Sequence, residues 1–229
     1  MLDHYGKAFR LWRAAAGDHW SDFVEHEFTR GLGDGTLRHE AFLAFLQQDY
    51  LYLMEYGKGW ALAVTKAATP REMSTCIKSA HAFLADEADL HLRLCEAAGL
   101  SRESVIAGQE AIETIAYTRF VLSSGLTGDF LDLMAALAPC EFGYGQIGVA
   151  LKSGQTSDRY GEWIESYGGP EFQEGCVTIG KLIDDALVAR LGPDFETSPR
   201  WNELVKKFVT ATRLEAAFFS LGLRNGAPA

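Results

Sequence analysis

In the run LMAALAPCEFGYGQIGVAL (residues 133–151), Pro139 stands directly before Cys140, a helix breaker beside the most reactive side chain of the segment. Proline removes a backbone donor and crowds the preceding turn, so a helix either restarts or kinks there. With a restart, Pro139 takes the first helical position and Cys140 the first turn, where the positive end of the helix dipole favours thiolate. Glu141 opposes this by adding negative charge. Tyr144 follows at i+4, so phenol and thiol share one face.

Two acids occupy similar settings. Asp49 in QQDYLYLMEY has Tyr52 three residues on, and Glu215 in TATRLEAAFFSLGL has Phe218 and Phe219 at i+3 and i+4. Each acid lies in an apolar run where a carboxylate needs a partner. Taken singly, each reads as a structural group, either satisfied in the core or solvated at an edge. Taken with Cys140, they make a thiol nucleophile, two carboxylates able to move protons, and several aromatic faces. That combination suits a flat, nitrogen-rich heterocycle, whose ring stacks while its amino group donates to an acid. The reading requires Cys140, Glu215 and Asp49 to face one enclosed void.

Other candidate motifs read as structural. Glu87 and His91 are four apart, a spacing used by di-iron carboxylate bundles. All six histidines (His4, His19, His26, His39, His81 and His91) precede residue 92, so the C-terminal half cannot complete a symmetric site, and a surface or packing role is assigned to the pair. GLGDGT at 31–36 has the glycine density of a phosphate cradle but fits neither nucleotide fingerprint, and is assigned to a turn between helices.

Positioning these residues falls to helices. Apolar positions recur at three and four throughout, with little period-two alternation, so the chain is expected to be all-α. Breaks at GLGDGT, ATPRE (68–72), GLSRE (99–103), SSGLTGD (123–129), SGQTSDR (153–159), YGGP (167–170) and LGPDFETSP (191–199) imply about eight helices. At 229 residues and 48% hydrophobic content the chain can bury one sizeable core, expected as a single domain over 1–223 with a frayed tail at 224–229.

A net charge of −10 disfavours nucleic-acid backbones and anionic membranes as partners, and suits a small neutral or cationic ligand. Cys76, Cys95, Cys140 and Cys176 show no CxxC pair, as expected of a reducing compartment. The opening MLDHYGKAFRLWRAAAGDHW lacks an uninterrupted apolar stretch, and the most apolar window is broken by Asp49, Glu55 and Lys58. A cytoplasmic protein is the expectation.

Read together, FVEHEFTRGLGDGTL, QQDYLYL, ALAPCEFGYGQIG, WIESYGG and the Glu215 helix resemble the TenA/THI-4 family, thiaminase II or aminopyrimidine aminohydrolases on a haem-oxygenase-like helical fold. The resemblance implies Cys140 as nucleophile, Glu215 as acid/base and Asp49 as the carboxylate on the pyrimidine. Tyr52, Tyr117, Tyr144, Tyr167 and Phe218 are implied as pocket lining. It also implies thiamin-salvage hydrolysis of an aminopyrimidine or of thiamin without metal or organic cofactor, and a homotetramer. Glu141 stands where the family often has an aromatic, and His26-Glu27-Phe28 where it often has His-Pro-Phe. Two alternatives stay open: a metal- or haem-dependent oxidase on the same fold, with His19 or His26 as haem ligand, and a non-catalytic pyrimidine-binding or regulatory protein.

Overall fold

The computed structural model describes residues 3–225. It is 85% helical, and no strand occurs among the described residues. The first helices are α1 (Lys7–Ala16), α2 (Asp18–Val24), α3 (Glu27–Asp34) and α4 (His39–Lys66). Then come α5 (Pro70–His81), α6 (Ala88–Ala97), α7 (Arg102–Ile106) and α8 (Ile112–Thr127). The last are α9 (Phe130–Gly154), α10 (Gly161–Gly168), α11 (Pro170–Leu191) and α12 (Pro199–Asn225). Eight of these twelve run ten residues or longer, matching the number expected, and the others are short connecting pieces.

Helix α9 is the axis of the bundle. Its side chains are apolar almost all round, so it must be covered on every face. From Phe130 to Tyr144 every residue is buried. Helices α4, α8, α10, α11 and α12 pack around it. Its start is set by a capping box: the Asp129 carboxylate accepts from the amides of Leu131 and Asp132, and the Asp132 carboxylate accepts from the amide of Asp129.

Helix α9 does not restart at Pro139. It runs through as one element, and the missing amide costs it one ladder bond. Cys140 therefore lies in mid-helix, so the restart alternative and the dipole argument conditional on it do not apply. In the turn before the proline, the buried Tyr56 hydroxyl donates to the Leu137 carbonyl at 2.9 Å.

Glycines allow the close crossings. GLGDGT is only partly a turn: residues 31–34 finish α3, and Gly35 ends it at φ 77°. Gly33 lies within α3, where a Cβ would sit 2.9 Å from the Leu151 side chain. Gly125, expected in a break, likewise stays within α8 against Leu62 and Leu133. Helix α12 extends to Asn225, past the expected boundary at 223, with Arg224 paired to Glu113. The remainder of the expected tail, 226–229, lies outside the described residues.

Between α5 and α6 the chain does not break. Ala82–Glu87 forms a π-helical stretch that joins them into one long element. A π turn inserts an extra residue per turn and shifts the facing of everything after it. Here it carries Phe83 inward, leaves Glu87 half-buried and is followed by a fully buried His91.

Candidate active site

The sequence of α4 sets Asp49, Tyr52 and Tyr56 down its inner face at three- and four-residue spacing, and all three are buried. The Tyr52 ring lies 4.8 Å from that of Tyr117 on α8 and 5.6 Å from that of Phe218 on α12. Its hydroxyl has no hydrogen-bond partner. From α9 itself, the Tyr144 ring lies 5.0 Å from that of Tyr167 on α10 and 5.7 Å from that of Phe219 on α12. Aromatic faces thus approach the centre from five helices.

Glu215 reaches this centre from α12, buried to 2% exposure. The Tyr117 hydroxyl donates to its Oε1 at 2.7 Å. Burial pushes the Glu215 carboxyl up to about 8, with the Tyr117 donation opposing the rise. Cys140, 6% exposed, is pushed well above the usual thiol range by burial first, then by the charges of Glu215, Glu87 and Asp49. At neutral pH the resting pair is thiol and carboxylic acid, so a nucleophile arises only when a proton is moved.

Asp49 is 2% exposed, and its carboxyl is held well above the usual range by burial, then by the charges of Glu87 and Glu215. Its Oδ2 lies 3.6 Å from His91 Nε2 and has no hydrogen-bond partner. His91 is fully buried, which depresses its pKa to about 3 and leaves the ring neutral. Tyr167 completes the cluster: its hydroxyl donates to Glu87 Oε1 at 2.7 Å and lies 3.4 Å from His91 Nε2. His91 is fully buried rather than at the surface, and it lies beside Asp49 while Glu87 accepts from Tyr167. Both thus adjoin the Asp49–Tyr167 cluster, a neighbourhood that their four-residue spacing alone does not reveal.

Ligand atoms of Asp49, Glu87 and His91 all lie within 4.8 Å of one another. Such a trio has donor types and spacing suited to a small cation. Glu87 already accepts from Tyr167, however, and the free Asp49 oxygen equally offers an acceptor to an N–H group of a ligand.

A groove of about 940 Å³ opens between the α5–α6 element, α10 and α11, with Glu87, Glu141 and Tyr167 among its lining. Cys140, Asp49 and Glu215 do not line it, so this groove is not the enclosed void expected around all three. The three are nonetheless close enough for their charges to act on one another. Tyr167 and Glu87 connect the two regions, since both line the groove while Tyr167 also reaches His91 beside Asp49.

The two sequence departures have different surroundings. Glu27 is exposed at the first position of α3, where proline fits as readily and a carboxylate favours the helix dipole. Glu141 is 2% exposed, and burial pushes it up to about 8. Of the histidines suggested for haem, His19 is exposed. His26 caps α3, its Nδ1 accepting from the Phe28 amide at 3.1 Å and its Nε2 lying 3.0 Å from the Ser220 hydroxyl. Neither serves the Cys140 cluster.

Residues 13–225 match the model of the TENA/THI-4/PQQC family. An aminopyrimidine aminohydrolase of Halalkalibacterium halodurans is 36% identical over 220 residues, which is 95% of this chain and 92% of that protein. An uncharacterized protein of Haemophilus influenzae is also 36% identical, over 91% of this chain and 95% of its own. Among solved structures, a protein of Silicibacter sp. TM1040 described as a TenA family transcription regulator superposes with a TM-score of 0.96 at 50% identity, covering 97% of this chain and 99% of that one. A haem-oxygenase-like domain from Shewanella denitrificans gives 0.74 at 16% identity, covering 95% and 92%, which speaks to the fold alone.

Proposed function

The chain belongs to the TENA/THI-4/PQQC family, and from that premise we propose that it hydrolyses 4-amino-5-aminomethyl-2-methylpyrimidine to the hydroxymethyl compound in thiamin salvage, with Cys140 as covalent nucleophile. The observation that carries the reading is the burial of Cys140 and Glu215 in one electrostatically coupled cluster walled by tyrosines. The hydrolase names of relatives at 36% and 30% identity support the reaction class.

In this mechanism the pyrimidine stacks among Tyr52, Tyr144 and Phe218. The free oxygen of Asp49 accepts from its amino group, and His91 steadies that carboxylate. The acid form of Glu215 gives its proton to a ring nitrogen as Cys140 sulfur adds to a ring carbon, and the thiol proton replaces the one Glu215 gave. S–H is thereby added across a ring C=N bond, and the ring becomes electron-rich. Its electrons expel the protonated amine from the exocyclic methylene as ammonia. Water adds to that methylene and releases a proton to solvent. The sulfur leaves with its bonding pair while the ring nitrogen gives back its proton, restoring the thiol and the aromatic ring. Tyr117 holds Glu215 in place for both proton transfers.

The test is turnover and binding in Cys140→Ala and Cys140→Ser. Both variants are expected to lose turnover while still binding the hydroxymethyl product. Full activity in the serine variant ends the nucleophile assignment. A binding or regulatory reading, prompted by the description of the 50% identical neighbour, predicts instead that wild type binds the aminomethyl compound without consuming it.

The same reading extends to setting and assembly. Cytoplasmic residence accords with four free, buried cysteines. Among the described residues, no helix is long and apolar enough to cross a membrane. A homotetramer accords with exposed Ile112 and Leu126 on α8 and Ile77 on α5, and light scattering on the purified protein measures it directly.

A further inference from the structure

Glu141 follows the proposed nucleophile in sequence, yet it faces different surroundings. Successive residues on a helix point about 100° apart, so Cys140 meets the Glu215 cluster while Glu141 lines the 940 Å³ groove. Its Oε2 is buried and has no hydrogen-bond partner. The near groups from the packed helices are the Cys176 thiol on α11 and the charge of Glu87 at the end of the π-helical stretch. Neither neutralises a carboxylate.

The groove around it is acidic. Six carboxylates line it, those of Asp86, Glu87, Glu141, Glu162, Glu165 and Glu171, against two basic groups, Lys78 and Arg93. Arg93 is already engaged with Glu162 at 2.9 Å and Asp89 at 3.4 Å. The inner end therefore holds two carboxyls, Glu87 and Glu141, without a basic partner. A buried carboxyl left unpaired is costly unless it stays protonated or a cation completes it. Glu87 lines the groove beside Glu141 and accepts from Tyr167, and its charge acts on both Cys140 and Glu141.

We propose that Glu141, together with Glu87, forms a subsite for the positively charged nitrogen borne on the exocyclic methylene of the substrate, and that this selects cationic leaving groups over neutral ones. The inference rests on the pyrimidine reading above and names which side of the substrate faces the groove. A protonated primary amine supplies the cation and N–H donors that Oε2 lacks. Once water has replaced it, the neutral product has no such attraction, and its release is favoured.

The experiment compares Cys140→Ala with the double variant Cys140→Ala/Glu141→Gln, using calorimetric binding of the aminomethyl and hydroxymethyl pyrimidines. Glutamine keeps the shape and removes the ability to ionise against a bound cation. Affinity for the aminomethyl compound is expected to fall about tenfold or more, with hydroxymethyl affinity unchanged. Glu141→Met in the same background, checked by circular dichroism, repeats the measurement should the glutamine variant not fold. Unchanged affinity for both ligands, or an equal loss for both, overturns the subsite while leaving the pyrimidine reading intact. Failure of wild type to bind either ligand overturns that reading, and the subsite falls with it.

Discussion

The Tyr117 hydroxyl on α8 donates a 2.7 Å hydrogen bond to Glu215 Oε1 on α12, tying two helices together at the proposed acid. The bond favours the carboxylate form, while burial raises the Glu215 carboxyl to about 8. Glu215 is thus protonated at neutral pH and still able to give its proton up. Tyr117→Phe removes the donor with little change in volume. The alkaline limb of the kcat/KM profile, set by loss of the Glu215 proton, is expected to move to higher pH. The rate at pH 7 should fall about tenfold, the scale of one hydrogen bond to an ionisable group. A profile that does not move would separate Glu215 from that limb.

In the proposed mechanism His91 acts on the substrate through Asp49. Its Nε2 is 3.6 Å from Asp49 Oδ2, and the ring is fully buried. His91→Leu keeps bulk and removes the imidazole, so Asp49 loses its polar neighbour and kcat/KM should drop about tenfold, mostly in KM. His91→Gln retains an N–H group and should recover much of the loss. Equal loss in both variants would mark His91 as packing alone.

Buried acids make stability depend on pH. Glu87, Glu141 and Glu215 are raised to about 7, 8 and 8 from an ordinary 4.5, so the folded chain holds protons that the unfolded chain has released. Their contribution is complete below about pH 4.5 and is lost as pH rises through about 8. The Tm is therefore expected to fall from pH 5 to pH 8. Glu141→Gln removes one such group, and the decline in stability should become shallower by up to about 1.4 kcal/mol per pH unit. His91 works in the other direction: lowered to about 3, its contribution is lost as pH falls from 6.5 toward 3. Thermal melts of both proteins across pH 5–8 check the difference in slope.

What could be read from the sequence follows from what is local. Asp49 and Tyr52 share a face because three residues on a helix always do, and Phe218 follows Glu215 by the same rule. The continuity of α9 through Pro139 was not legible, because it depends on enough packing around α9 to outweigh one lost ladder bond. Glu87 and His91 were hidden for a related reason. The π-helical stretch at 82–87 sets their facing and leaves no mark in a 3.6-residue period. The available signal was His91 itself, set between Leu90 and Leu92 and followed by Leu94 and Cys95 on an amphipathic helix.

The position of Tyr167 depends on a glycine pair, which gives a test of the scaffold without touching a polar group. Helix α10 crosses α9 so closely that a Cβ on Gly148 would sit 2.3 Å from the Tyr167 carbonyl carbon and 2.5 Å from the Gly168 amide nitrogen. From the other side, a Cβ on Gly168 would sit 2.6 Å from the Gly148 oxygen. These are backbone atoms, so no rotamer change relieves the overlap and the helices must separate. Gly148→Ala is expected to destabilise the fold by roughly 1–3 kcal/mol through overpacking. Separation also draws the Tyr167 hydroxyl from Glu87 and His91, so kcat/KM should fall further than the loss of folded protein explains. Gly154→Ala, on the same helix with open space around its Cβ, is the control, and it should leave both Tm and activity near wild type. If Gly148→Ala melts and turns over like that control, the close crossing does not position Tyr167.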